Sequence, residues 1–143
     1  MIEGKRENLK PCVGVMIFKD GKVLLHKRKG SHGAGEYSFL GGHLEYEESF
    51  VDCAKRETLE ESGILINNLK FLCTANIYRH IGRQDILVGL SADWESGEPK
   101  IMEPEKCDGL GWYSLDDLPS PLFYPTEIVL DSYKTGKNFY DKE

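Results

Sequence analysis

Residues 42–64 read GHLEYEESFVDCAKRETLEESGI, and the fold turns on how this stretch is read. Ser49 offers a capping hydroxyl with Asp52 three residues on, and Gly63 supplies a helix-ending residue. The spacing therefore predicts a helix over about Phe50–Ser62. Phased at about 100° per residue from Phe50, the residues Ala54, Thr58 and Val51 fall between about 40° and 100° and define an apolar side. Glu61 falls near about 20°, Glu57 near about 340° and Glu60 near about 280°, while Leu59, near about 180°, breaks the stripe. The three carboxylates thus stand within one turn of each other, beside the buried stripe. A solvated acidic face is the ordinary reading of such a run. Acids at the edge of a core are also the arrangement that a bound divalent cation compensates.

Outward from the helix, the flanks read as strands. Cys12–Phe18 and Val23–His26, joined at Asp20-Gly21, predict a hairpin. Gly30–Glu36 reads as a loop and Tyr37–Leu40 as a short strand entering Gly41-Gly42. Past Gly63, strands are expected at Ile64–Ile66, Lys70–Arg79 and Ile86–Asp93, with Gly82 in a turn. Glu95–Cys107 reads as a long polar loop, Leu110–Tyr113 as a strand and Ser114–Asp117 as a short helical start. A second helix is expected over Leu122–Tyr133 with Pro125 in its first turn, and the tail after about Thr135 as frayed. Mixed strands and two helices make an α/β layered domain, one unit over 1–143.

The composition, 40% hydrophobic and 29% charged, is that of a globular chain and not of a disordered one. No apolar run is long enough to span a membrane and the polar start 1–10 lacks a secretory core, so a cytoplasmic location is expected. The net charge of −6 argues against a nucleic-acid polymer as partner. That charge is local: Glu45–Glu61 holds seven acids against Lys55 and Arg56, and the rest of the chain carries 17 acids and 16 bases. The four cysteines, Cys12, Cys53, Cys73 and Cys107, show no zinc spacing and are expected as reduced, mostly buried thiols.

The offsets Gly42-x₅-Glu48-x₇-Arg56-Glu57-Thr58-x-Glu60-Glu61-x-Gly63-Ile64 hold eight fixed identities, and this segment closely resembles the signature of the Nudix hydrolases. Its soft position is Thr58, where the family prefers an aliphatic residue. The resemblance implies an α/β/α sandwich with a mixed sheet between helices. It further implies Mg²⁺-dependent hydrolysis of a diphosphate linkage, with Mn²⁺ as a substitute. It makes Glu57 and Glu61 metal ligands, Glu60 a ligand or the water-activating base, and the Gly41 carbonyl a further ligand. Arg56 is expected to orient its neighbours through Glu48, pointing away from the carboxylates. Glu45 and Glu47 read as solvated loop acids.

From about Pro11 to Tyr124 the chain is similar to MutT-type nucleoside-triphosphate diphosphatases, nearest the thiopurine-nucleotide subgroup. The likeness lies in Arg28–Gly35, Gly41–Glu45, Pro99–Cys107, Trp112, Leu118-Pro119 and Leu122-Phe123. It implies a nucleoside triphosphate split into monophosphate and pyrophosphate, commonly by a homodimer. By position, Arg28 and His43 belong near the phosphates, and Phe39, Phe123 and Tyr124 border the base pocket, where aromatic rings stack on a base without choosing it. Core packing for Phe39 and Phe123 stays open, as does a loop hydrogen bond for His43. Departures are Leu40 for a proline, Gly111 for a glutamate, with Glu103 and Glu105 read either as substitutes or, by preference, as plain surface acids, and Ser38 and Val88 near the pocket. Within the class, an ADP-ribose or nucleotide-sugar pyrophosphatase is the competitor. Outside it stands a non-catalytic nucleotide sensor, which usually lacks one or more of the glutamates.

Overall fold

The computed structural model describes residues 9–30, 32–78 and 83–141. The turn expected at Gly82, the strand end at Arg79 and the start 1–8 lie outside them. Strand β1 (Leu9–Lys19) turns at Asp20-Gly21 into β2 (Lys22–Arg28). Asp20 and Gly21 take φ of 50° and 78°, the primed-turn geometry that follows strand twist. The expected hairpin, however, pairs only at its tip, Phe18 with Val23 and Lys19 with Lys22. Below the tip the two strands part. After β3 (Tyr37–Ser38), strand β4 (Leu40–His43) runs beside β1, from Val15 opposite Leu40 to Cys12 opposite His43. This exchange of partners carries Gly41 and Gly42 to the middle of the sheet.

Helix α1 (Phe50–Ser62) has the predicted bounds and caps: Asp52 N–H donates to Ser49 Oγ at 3.0 Å, and Gly63 ends it at φ 76°. Its buried stripe is Cys53, Ala54, Thr58 and Ser62. Val51, assigned to the apolar side by phase, is exposed, and so is Leu59. The strands expected at Ile64–Ile66 and Lys70–Arg79 are one strand, β5 (Leu65–Ile77), whose irregular register and positive φ at Asn68 absorb the polar interruption. Strand β6 (Gln84–Ser96) runs antiparallel to β5 and parallel to β1. It extends past Asp93 because Leu65 pairs with Ser96. Strand β7 (Cys107–Ser114) starts earlier than expected because β2 pairs with it as far as Arg28 opposite Cys107. The polar loop is shortened at both ends.

Ser114–Asp117 is a turn closed by Asp117 N–H to Ser114 O, not a helical start. Helix α2 spans Tyr124–Thr135. Its first two expected residues are extended, because Phe123 N–H donates to Tyr37 O and Tyr37 N–H to Pro121 O. The tail expected to fray returns as β8 (Phe139–Tyr140) beside β5. Tyr140 is buried and its hydroxyl donates to Asp131 Oδ2 at 2.6 Å, which ties the segment to α2.

The sheet order is β3-β2-β1-β6-β5-β8, with β4 on β1 and β7 on β2. Alternation along β1 decides the layers. Val13, Val15 and Ile17 face a cluster holding Cys53 and Ala54 of α1; Met16 faces one holding Ile128, Val129 and Leu130 of α2. The helices therefore cover opposite faces of a mixed sheet, the layered α/β architecture expected. Among the described residues no helix is long and apolar enough to cross a membrane.

Candidate active site

Two glycines set the geometry. At Gly41 a Cβ would run into the Val13 carbonyl, so only glycine lets β4 lie this close to β1. At Gly42 a Cβ would land on the Glu57 carboxylate, which fills the space where a side chain would stand. Glu61 lies beside it, its Oε1 accepting from Gly41 N–H at 2.9 Å. Helical spacing and the bare backbone of β4 thus bring Glu57, Glu61 and Gly41 together as expected.

Arg56 does not point away from the acids. Its Nε and Nη2 donate to Glu48 at 2.7 and 3.0 Å, and its Nη1 donates to Glu57 Oε1 and Glu60 Oε1, both at 2.9 Å. A further bond from Nη2 to His43 O, 3.1 Å, fixes the end of β4. The long guanidinium fork reaches back along the helix, so Arg56 orients both neighbours directly. Glu45 approaches Arg56 at 3.4 Å but is mostly exposed, and Glu47 stands in the exposed loop.

Charge at the site is uneven. The bonds from Arg56 hold Glu48 down at about 2. Burial pushes Glu61 up to about 8, with Glu57 and Glu103 adding to the rise and Gly41 N–H and Arg28 opposing it. Burial and the contact with Glu60 push Glu57 up to about 7, against Arg56. Two carboxyls so poorly solvated and so close together suit a divalent cation, which favours their ionised forms. Among the described residues no three acids or histidines close into a full cage. That is compatible with Mg²⁺, which keeps several waters and takes substrate phosphates as ligands. Glu57, Glu61 and the Gly41 carbonyl can hold such an ion, with the more exposed Glu60 beside them.

Next to Glu61 opens a cavity of about 190 Å³, lined by Arg28, Phe39, Gly41, Gly42, His43 and Phe123 among others. The Arg28 guanidinium stacks 4.0 Å from the Phe123 ring centroid, and its Nε donates to His32 O at 3.0 Å. Gly33 makes room for this stack: at φ 77°, a Cβ there would come within 3 Å of both Arg28 and Phe123. Phe39 is both core and cavity wall, with its N–H donating to Thr126 Oγ1 at 3.0 Å. Tyr124, expected at the pocket, opens α2 and packs partly buried against the core, while its neighbours Pro125 and Thr126 line the cavity. His43 sits at the rim with Arg83 and Asp85.

Sequence reasoning missed Asp85, Arg83, Cys12, His26 and Thr126 on this cavity. One signal was available for Asp85, an acid in the face-alternating run QDILVGL. All four cysteines are free, three of them buried.

Comparison with known proteins agrees with this fold. A model of the NUDIX domain matches residues 8–133. The chain is 36% identical over 121 residues to a protein of Haemophilus influenzae described as NAD-capped RNA hydrolase NudC, covering 83% of this chain but 44% of that one. It therefore spans less than half of the curated relatives it matches. Among solved structures, a MutT NUDIX hydrolase from Burkholderia pseudomallei superposes with a TM-score of 0.82 at 35% identity, covering 87% of this chain and 97% of that one. An ADP-ribose pyrophosphatase from Streptococcus suis shares the fold, with a TM-score of 0.72 at 21% identity over 93% of this chain and 98% of that one.

Proposed function

The chain belongs to the Nudix hydrolase family, and from that membership we propose that it hydrolyses a nucleoside triphosphate to monophosphate and pyrophosphate with Mg²⁺. The observation that carries the reading is the Glu57–Glu61 pair, fixed against the bare backbone of Gly41-Gly42 at the mouth of a cavity with aromatic walls. The 35% identity to a MutT NUDIX hydrolase, against 21% to the ADP-ribose pyrophosphatase, supports a MutT-type reading over an ADP-ribose one.

Glu57, Glu61 and the Gly41 carbonyl would hold a divalent cation, which when bound would neutralise charge on the diphosphate and raise the acidity of water. The protein's own groups do the rest. Arg56 and Glu48 keep the carboxylates of α1 in register with β4. Glu60, more exposed on the same turn and held by Arg56, serves as a further ligand or as the base that takes the proton from water. Arg28, stacked and pre-oriented, binds phosphate oxygens, and Phe39 and Phe123 flank the base.

A second reading is cleavage of the diphosphate bridge of a dinucleotide, favoured by the identity with the NudC relatives. A panel of nucleoside triphosphates, ADP-ribose and NADH, assayed with Mg²⁺ and with Mn²⁺ and scored by product, separates the two. Pyrophosphate from triphosphates is the expected result; AMP from NADH or ADP-ribose, with every triphosphate inert, sinks the first reading. Glu61→Gln keeps the bond from Gly41 N–H and should abolish turnover without unfolding. Turnover at the parent's rate in that variant would refute the metal assignment.

A further inference from the structure

The same cavity has a second polar corner, formed by His43, Arg83 and Asp85, in which Asp85 has no part in the hydrolytic chemistry above. Asp85, near the start of β6, sits opposite Lys10 of β1 and Ile77 of β5 and is only 7% exposed. Its Oδ2 accepts from Arg83 Nε at 2.9 Å. Among the described residues its Oδ1 is buried without a hydrogen-bond partner; His43 Nε2, at 3.6 Å, is within ion-pair reach but beyond hydrogen-bond distance. His43 Nε2 is itself 3.2 Å from Arg83 Nη2, so the two basic groups are occupied with each other. The fold does not call for an acid here. Leu87, two residues on and facing the same side, fills an equivalent place with an apolar side chain.

A buried carboxylate oxygen without a donor is expensive, and such groups persist where a ligand satisfies them. The ligand group must be a donor. An ionised phosphate oxygen is itself an acceptor and cannot satisfy Oδ1; phosphates belong with the Arg28 guanidinium and the cation that Glu57 and Glu61 would hold. Cys12, Ile77 and Leu87 make the rest of this corner weakly polar, which suits the edge of a flat ring carrying one polar substituent. We propose that Asp85 is the base-selecting residue of the site, its Oδ1 accepting a hydrogen bond from the exocyclic amine of a nucleobase. The inference deepens the nucleotide reading above and rests on it.

The test is kcat/KM for two pairs of nucleotides that differ only in the amine: ATP against purine riboside triphosphate, and GTP against inosine triphosphate. The parent protein should prefer the amine-bearing member of a pair by between about ten- and a hundredfold, the scale of a bond to a charged acceptor. In Asp85→Asn, Arg83 keeps hold of the amide oxygen and turns the amide NH₂ into the cavity. The preference should vanish, with the amine-lacking nucleotide keeping most of its rate. Equal losses for both members of each pair would mean that Asp85 merely anchors Arg83 and His43, and would overturn the proposal. The parent's own discrimination needs no variant, so a poorly folding Asp85→Asn does not rescue a failed result. If the parent turns over all four nucleotides equally well, the role of Asp85 falls and the nucleotide reading stands. If it turns over none of them, nor CTP, whose base also carries an exocyclic amine, the nucleotide reading falls and takes this inference with it; turnover of CTP but not UTP supports the role of Asp85, and equal turnover of both overturns it.

Discussion

Thr58 occupies the soft position of the signature, and replacing it with valine should make the protein more stable. The residue is 0% exposed in the middle of α1, and among the described residues its Oγ1 has no hydrogen-bond partner. A helical threonine commonly bonds back to the carbonyl one turn earlier, but this hydroxyl does not. A buried hydroxyl without a partner costs about 1–3 kcal/mol. Valine keeps the branched shape, replaces the hydroxyl with a methyl and has a similar helix propensity. The expected gain is about 1–2 kcal/mol, or a rise in Tm of roughly 2–6 °C for a chain of this size. Thr58→Ser provides the opposite arm: it keeps the hydroxyl, removes the packed methyl and should lose about 1 kcal/mol. Urea unfolding of the three proteins, monitored by circular dichroism, gives the ordering directly. Valine at or below the parent's stability would show that the hydroxyl is satisfied after all. Since Thr58 faces the core and not the cavity, kcat should change by less than about twofold in Thr58→Val, a shift too small to register as lost transition-state binding.

Three further outcomes are expected. Gly42→Ala puts a methyl onto the Glu57 carboxylate, so kcat/KM should fall by about a hundredfold with the melting curve little changed; steady-state kinetics at saturating Mg²⁺ will tell, and parental activity would disprove the close approach. Burial, with Arg28 adding to it, lowers His26 to about 4, while the unfolded chain protonates near about 6.5. The unfolded state therefore binds more protons between those values, and stability is lost as pH falls through that window. From pH 7 to pH 5 the loss at this residue is about 2 kcal/mol, to be read as the difference in urea midpoint shift between the parent and His26→Gln; identical slopes would rule it out. Tyr140→Phe removes the bond to Asp131 that anchors β8. It should lower stability by about 1–3 kcal/mol and raise amide exchange in 136–141; unaltered exchange would mean the strand is held by packing alone.

How much of this was legible in the sequence follows from the range of the interactions involved. Helix α1 rests on contacts within four residues, and so its caps, its bounds and the grouping of Glu57, Glu60 and Glu61 could all be read from spacing. The run Cys12–Phe18 was legible as a strand, but not which helix each of its faces would meet. Gly42 was legible as an identity, but its reason was not. Only the pairing of β4 with β1 puts its backbone under Glu57.

Tertiary structure decided the rest. Arg56 faced away by helical phase alone, yet its side chain is long enough to span back to Glu57 and Glu60. Val51 kept its apolar character but lost its place in the core, and the hairpin kept its turn but lost most of its pairing. Tyr140 looked like part of a loose end until β5 offered an edge and Asp131 an acceptor. The corner formed by His43, Arg83 and Asp85 joins β4 to the start of β6, some 40 residues apart in the chain and adjacent only because each strand pairs with β1. Local periodicity fixes which residues share a helix face. Which strand lies beside which, and so what a buried acid is left to meet, depends on long-range hydrogen bonding that no short window of sequence contains.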